Sequence, residues 1–345
     1  MNRRTYLALV GTTVGLSGCT GGGEIPRTVT DAPVSRTTAA SETPDSTPVE
    51  TDDSGGDSEY ELDVAEATVG EVFADGSLAL VVRSIERVTQ IGELQRAKDG
   101  HVFLVVRLAV KNTSADEYFA FSGVSQTRVL DADRQAYQQS QSFDQTGTQF
   151  TAGQLAPGEV SRGDLAYEIP TDASDLKLRI DFQASDPLSY DRVVMPLGSA
   201  PDAPANVTQD LQVDVASPGE AVEFGGVSVT VNSLETTASI GGAAKAGDGK
   251  EYAIIDISVE NDTDEQQQLS SLLQMWLKDG AGFSYTHDIV ATSQLEQPYG
   301  DDYIDVGETA GGALAYRIPE GRSPLYWTLD FDLMADADKG FWKLR

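Results

Sequence analysis

The sequence predicts an all-β protein built as two tandem immunoglobulin-like β-sandwich domains behind a disordered linker. Three observations carry that expectation. A single repeat offset of 149 residues runs through most of the chain, apolar residues within each copy alternate with period two, and no long stretch shows the 3.6-residue spacing of an amphipathic helix.

The repeat is legible residue by residue. Val69-Gly70-Glu71 aligns with Pro218-Gly219-Glu220, Ser84-Ile85-Glu86 with Ser233-Leu234-Glu235, and Asp99-Gly100 with Asp248-Gly249. Further on, Gly158-Glu159, Leu165-Ala166-Tyr167 and Ile169-Pro170 meet Gly307-Glu308, Leu314-Ala315-Tyr316 and Ile318-Pro319. Constancy of the offset sets the boundaries: sandwich one over residues 61–198, a linker over 199–208 holding Pro201 and Pro204, and sandwich two over 209–345. Leu78, Leu80 and Val82 alternate with other residues, as do Val227, Val229 and Val231, which is the pattern of strands with one face in a core. Residues 102–110 and 252–259 are the longest β-rich runs and are expected to be central strands. Turn signals recur at Asp75-Gly76, Gly225-Gly226, Asp279-Gly280 and Pro157-Gly158, which suits roughly seven strands per copy.

Ahead of the repeat, Arg3-Arg4 precedes a short apolar run and the tetrad Leu16-Ser17-Gly18-Cys19. Paired arginines before an apolar segment resemble a twin-arginine export signal, and the tetrad resembles a lipobox. Residues 1–18 therefore read as a signal peptide, and Cys19 as the lipidated residue that holds the protein on the outer face of the cell membrane. The run is too short to span a bilayer as a retained helix, which needs about 20 apolar residues. Residues 19–60 are dominated by Thr, Ser, Pro, Gly and acids, and cannot bury enough surface to offset ordering entropy. They read as a disordered tether reaching on the order of 35 Å.

Charge narrows the partners. The chain carries 55 acidic against 24 basic residues, a net charge of -31, and only 8 of the basic residues are Lys. Most of the acid lies in the repeated part, where 46 acids face 20 basic residues. Such a surface fits a protein kept hydrated in concentrated salt, where screening makes self-repulsion tolerable, and points to a halophilic source. Without a basic stripe, a duplex nucleic-acid partner is excluded. Cys19 is the one cysteine, so no intrachain disulfide and no Cys-based zinc site can form.

Several motifs mark each copy: a Gly-Glu start, a Ser-hydrophobic-Glu strand end, a Val-x-Asn-x-Thr/Ser segment, and Gly-Glu followed by Leu-Ala-Tyr-x-Ile-Pro. Together they resemble the telokin-like, immunoprotective-antigen family of extracellular lipoprotein domains, over about residues 61–197 and 210–345. The resemblance implies an immunoglobulin-like sandwich outside the cell and brings no catalytic residues. Copy two departs from the pattern with Val306 where copy one has Pro157.

Residue chemistry gives little more. His101 and His287 stand at non-equivalent positions, and no Gly-x-Ser-x-Gly, Ser-x-x-Lys or Walker pattern is present. Acid clusters fall at Asp131/Asp133 and at Asp301/Asp302/Asp305, the latter interleaved with Tyr299 and Tyr303; a halophilic surface explains them without a cation. Sequons at Asn112, Asn206 and Asn261 are candidate N-glycosylation sites, although Asn112 and Asn261 close strands where an Asx-turn serves as well. Trp276, Trp327 and Trp342 are confined to copy two; most Trp in a sandwich is core, and only exposure of these rings would make it the binding copy. The expectation is a membrane-anchored, non-catalytic surface protein with a protein or glycan ligand or an envelope-structural role, and no cofactor or metal. Two alternatives stand beside it: a carboxylate-dependent metal-binding protein or enzyme on copy two, and an accessory lipoprotein of a transport or redox complex.

Overall fold

The computed structural model describes residues 62–92, 95–140, 149–150, 153–182, 188–331 and 339–345. The expected signal segment, Cys19 and the tether lie outside these residues. Everything described belongs to one compact unit, Glu59–Arg345.

Each copy is a sandwich of two sheets. In copy one, a sheet ordered Val160–Pro170, His101–Asn112, Leu78–Val88, Phe73–Asp75 faces a sheet ordered Val64–Glu66, Arg192–Pro196, Lys177–Asp181, Thr127–Leu130, Ala136–Gln138. In copy two, Ala221–Phe224, Val227–Thr237, Lys250–Asn261, Thr309–Pro319 face Ser284–Tyr285, Met275–Asp279, Leu325–Asp330, Lys339–Lys343. Pairing within these sheets is antiparallel except for Val64–Glu66 beside Arg192–Pro196. The three long strands of each first sheet stand 149 residues apart at both ends, as the repeat requires.

Alternation explains which side is buried. Leu178 and Ile180 point inward while Lys177, Arg179 and Asp181 do not. They meet Leu80, Val82, Leu104, Val106 and Leu165 across the sandwich, and Val229, Val231, Ile255, Ile257 and Leu314 meet Leu277, Trp327 and Leu329 in the second core. The repeated Leu-Ala-Tyr places a buried tyrosine in each core and gives its hydroxyl a partner from the opposite sheet. Tyr167 Oη lies 2.6 Å from Thr127 Oγ1, and Trp327 Nε1 donates to Tyr316 Oη at 2.9 Å. The repeated Ser-hydrophobic-Glu marks a β-bulge: the register slips between Val82 and Ser84 and, identically, between Val231 and Ser233.

The linker is a strap. Ala205 donates its N–H to Gly70 O at 2.7 Å, Val207 is buried against Ala79, Val81, Ala109 and Val160, and Arg83 Nε donates to Ala205 O at 3.2 Å. Beyond it, Asp210 and Gln212 donate backbone N–H groups to Gly158 O and Pro157 O. This cover is why all of Leu78–Val82 is buried in copy one, whereas Val227–Val231 alternates.

Candidate functional site

The acid clusters resolve first. Asp131 ends the strand Thr127–Leu130, and its Oδ1 accepts the backbone N–H groups of Asp133 at 3.0 Å and Gln135 at 2.9 Å. Its Oδ2 accepts the Tyr137 hydroxyl at 2.7 Å. That hydroxyl, helped by the backbone donors, holds the Asp131 carboxyl below its usual range, while burial and the carboxylate push Tyr137 up to about 12. Asp279 repeats the arrangement with Ala281 N, Phe283 N and Tyr285 Oη, each at 3.0 Å. Asp131 and Asp279 are therefore hairpin clamps, in which one carboxylate satisfies two turn amides and a tyrosine. In the second cluster, Asp301 accepts Ser271 N at 3.0 Å and Asp305 accepts the Gln266 amide. Among the described residues, no group of three or more His, Cys, Asp or Glu side chains gathers as a metal would need.

The remaining sequence candidates separate by burial. His101 Nδ1 sits 3.1 Å from Asp99 O at a strand entrance. His287 is buried edge-on to Tyr316, and that burial lowers its pKa. Asn112 and Asn261 are corrected as glycan acceptors: both are wholly buried, and each Nδ2 donates to two backbone carbonyls, Glu117 O and Leu155 O in one copy and Glu265 O and Ile304 O in the other. Each Oδ1 accepts the N–H two residues on, so the repeated Asn is a buried Asx-turn that pins a distant strand. Asn206 remains exposed, with its Oδ1 accepting from Arg162 at 2.6 Å. The tryptophans do not form an exposed binding face. Trp327 and Trp342 are fully buried with ring centroids 5.2 Å apart, Trp276 is half-buried, and of the interleaved tyrosines only Tyr303 is exposed.

What sequence reasoning missed is the junction between the sandwiches. Glu159, from the repeated Gly-Glu, is completely buried, and its Oε2 accepts Ala156 N at 2.9 Å within its own turn. Two lysines of copy two close on it. Lys339 Nζ lies 2.7 and 2.9 Å from the two carboxylate oxygens, and Lys278 Nζ pairs with Oε1 while donating to Val160 O at 3.0 Å. Burial works to raise the Glu159 carboxyl, but the two ammonium groups outweigh it and hold the carboxyl below its usual range. Lys278 responds oppositely. Burial pushes it down to about 8, with repulsion from Lys339 adding to the shift and the Glu159 carboxylate opposing it. Around this cluster, Arg162 N donates to Gly282 O at 2.9 Å, Arg162 Nε donates to Ala281 O at 2.7 Å, and its guanidinium lies 5.8 Å from the Phe283 ring centre. Gly282, at φ +93, lets the backbones meet: a Cβ there would fall 2.6 Å from Val160 Cγ1.

The family described as "Domain of unknown function (DUF4352)" matches residues 67–190 and again 217–339. The chain belongs to that family. Its two DUF4352 copies fall on the two sandwiches. No curated protein sequence matches the chain. Among solved structures, it is similar to the yjhA protein of Bacillus subtilis (20% identity, 38% of this chain and 98% of that one, TM-score 0.30). It is also similar to an uncharacterized beta-sandwich protein from Clostridium difficile 630 (18% identity, 39% and 97%, TM-score 0.27) and to a secreted protein from Mycobacterium tuberculosis, MPT63 (12% identity, 38% and 95%, TM-score 0.30). The first DUF4352 copy carries a shallow groove of ≈ 880 Å³ on the outer face of its second sheet, bordered by Arg87, Leu130, Arg134, Lys177 and Arg179. Its four cations share that border with two acids, Asp131 and Asp175.

Proposed function

We propose that the protein is a lipid-anchored, non-catalytic component of the cell exterior, in which a flexible tether presents a rigid pair of DUF4352 sandwiches. The observation that carries this reading is the order Arg3-Arg4, apolar run, Leu16-Ser17-Gly18-Cys19, followed by a polar segment with no apolar pattern. The telokin-like motifs agree with an exported sandwich, and the net charge of -31 agrees with work in concentrated salt. A binding or structural role is supported by the uses to which reactive groups are put: Asp131 and Asp279 clamp hairpins, Asn112 and Asn261 close strands, and Glu159 joins the sandwiches. Asn206, exposed on the strap, is the candidate glycan acceptor. The test is Cys19→Ser in the native host, followed by separation of membrane and soluble fractions. The variant is expected in the soluble fraction, and unchanged membrane retention would overturn the anchor.

A further inference from the structure

The junction uses one surface of each sandwich and leaves the matching surface of the other open. In copy one, Pro157, Gly158, Glu159 and Val160 are all buried at the strap and copy two. Their counterparts Val306, Gly307, Glu308 and Thr309 are all exposed, with Val306 at 54% beside Tyr303 at 68%. A Cβ on Gly158 would strike Asp210 O at 2.0 Å, whereas one on Gly307 would meet nothing within 4 Å. Glu308 holds no ion pair among the described residues.

The receiving side has an open twin as well. Trp327 pairs with Leu277 as Leu178 pairs with Val129, which makes Leu130 the counterpart of Lys278. Asp330 pairs with Lys339 as Asp181 pairs with Arg192, which makes Arg192 the counterpart of Lys339. On copy one, Leu130, Arg179 and Arg192 are half-buried, with exposed Lys177 and Arg134 close by in the chain.

We propose that the copy-two end of one molecule docks on the copy-one face of a second copy of this chain, repeating the internal junction head to tail. Glu308 takes the place of Glu159 and meets Arg192 in the place of Lys339. Exchange of Lys278 for Leu130 removes one cation from the joint and adds an apolar contact, and Val306 and Tyr303 supply the apolar partners opposite. Arg179 and Arg192 both reach Asp181 on the copy-one face, so at the joint Arg192 is shared between Asp181 and Glu308, as Glu159 is shared between two lysines. A contact between unlike surfaces is heterologous, so it propagates unless its rotation closes a ring. This proposal deepens the surface-module reading by naming the partner, and it does not depend on the lipid.

The test is sedimentation velocity of the full chain carrying Cys19→Ser, over a wide concentration range at low and molar salt. The wild-type surface is expected to give species that grow with concentration. Glu308→Arg and Arg192→Glu should each weaken association at least about tenfold, since each reverses one member of a contacting charge pair. An equimolar mixture of the two variants should regain growth with concentration, because every joint between unlike variants again sets opposite charges against each other. The double variant should assemble again. A wild-type surface monomeric throughout, Glu308→Arg assembling like wild type, or a mixture that stays monomeric would each overturn the proposal, and would leave the membrane-partition result for Cys19 standing.

Discussion

Replacing Glu159 with Gln tests the junction at its centre. The change keeps the shape of the side chain but removes the charge that two lysines share, leaving Lys278 buried beside Val160 O at 3.0 Å with no carboxylate to balance it there. Removing one member of a buried ion pair costs about 3–5 kcal/mol, because the other charge stays desolvated. Lys278 already sits at about 8 with the carboxylate beside it, so without it the ammonium sheds its proton more readily and recovers part of that cost. The net loss is therefore expected near the lower figure, about 3 kcal/mol, and larger below pH ~7 than above pH ~9. At about 2–4 °C per kcal/mol, that is a drop in Tm of roughly 6–12 °C for the full chain, read by circular dichroism or calorimetry. The repeat supplies the control. Glu308→Gln alters the equivalent residue where it is exposed, and at low protein concentration should stay within ~0.5 kcal/mol of wild type. Equal Tm changes in the two variants would refute the reasoning, since burial against a partner domain would then make no difference.

Two further outcomes follow from the same geometry. Glu159 has a folded pKa below its ordinary 4.5, so its contribution is present above that value and lost as the pH falls through the folded pKa. Acid titration of Tm should thus fall more steeply below pH ~4.5 in wild type than in Glu159→Gln, and parallel curves would contradict it. Asn112→Ala and Asn261→Ala each strand two buried carbonyl partners and an amide, so each should cost about 2–4 kcal/mol in denaturant unfolding, the two alike to within experimental error; a loss below about 1 kcal/mol would count against their role as closing turns.

The fold was legible because cores repeat what surfaces need not. Leu78–Val82 and Val227–Val231 hold their alternation, and the Ser84 and Ser233 motifs line up because a bulge sits at the same register in both. The hairpin clamps were hidden by arithmetic: Asp131 and Asp279 stand 148 residues apart, one short of the main offset, so a fixed spacing of 149 does not bring them into line. The junction was hidden by physics. The Gly-Glu pair is the same in both copies, and what separates Glu159 from Glu308 is which surface a second domain covers. A signal did exist in the scarcity of lysine, for two of only 8 in the chain, Lys278 and Lys339, converge on one carboxylate. The tryptophans follow the rule for a sandwich, since Trp327 and Trp342 pack in the second core.

The strap has a mechanical consequence. Residues 205–212 lie along copy one, bonded at Gly70, Pro157 and Gly158, and lead directly into the second sandwich. Tension drawn along the backbone from one sandwich to the other has to peel those bonds before it can separate the Glu159 cluster. The connection thus behaves as a latch beside the ionic joint, and the two together resist separation of the sandwiches.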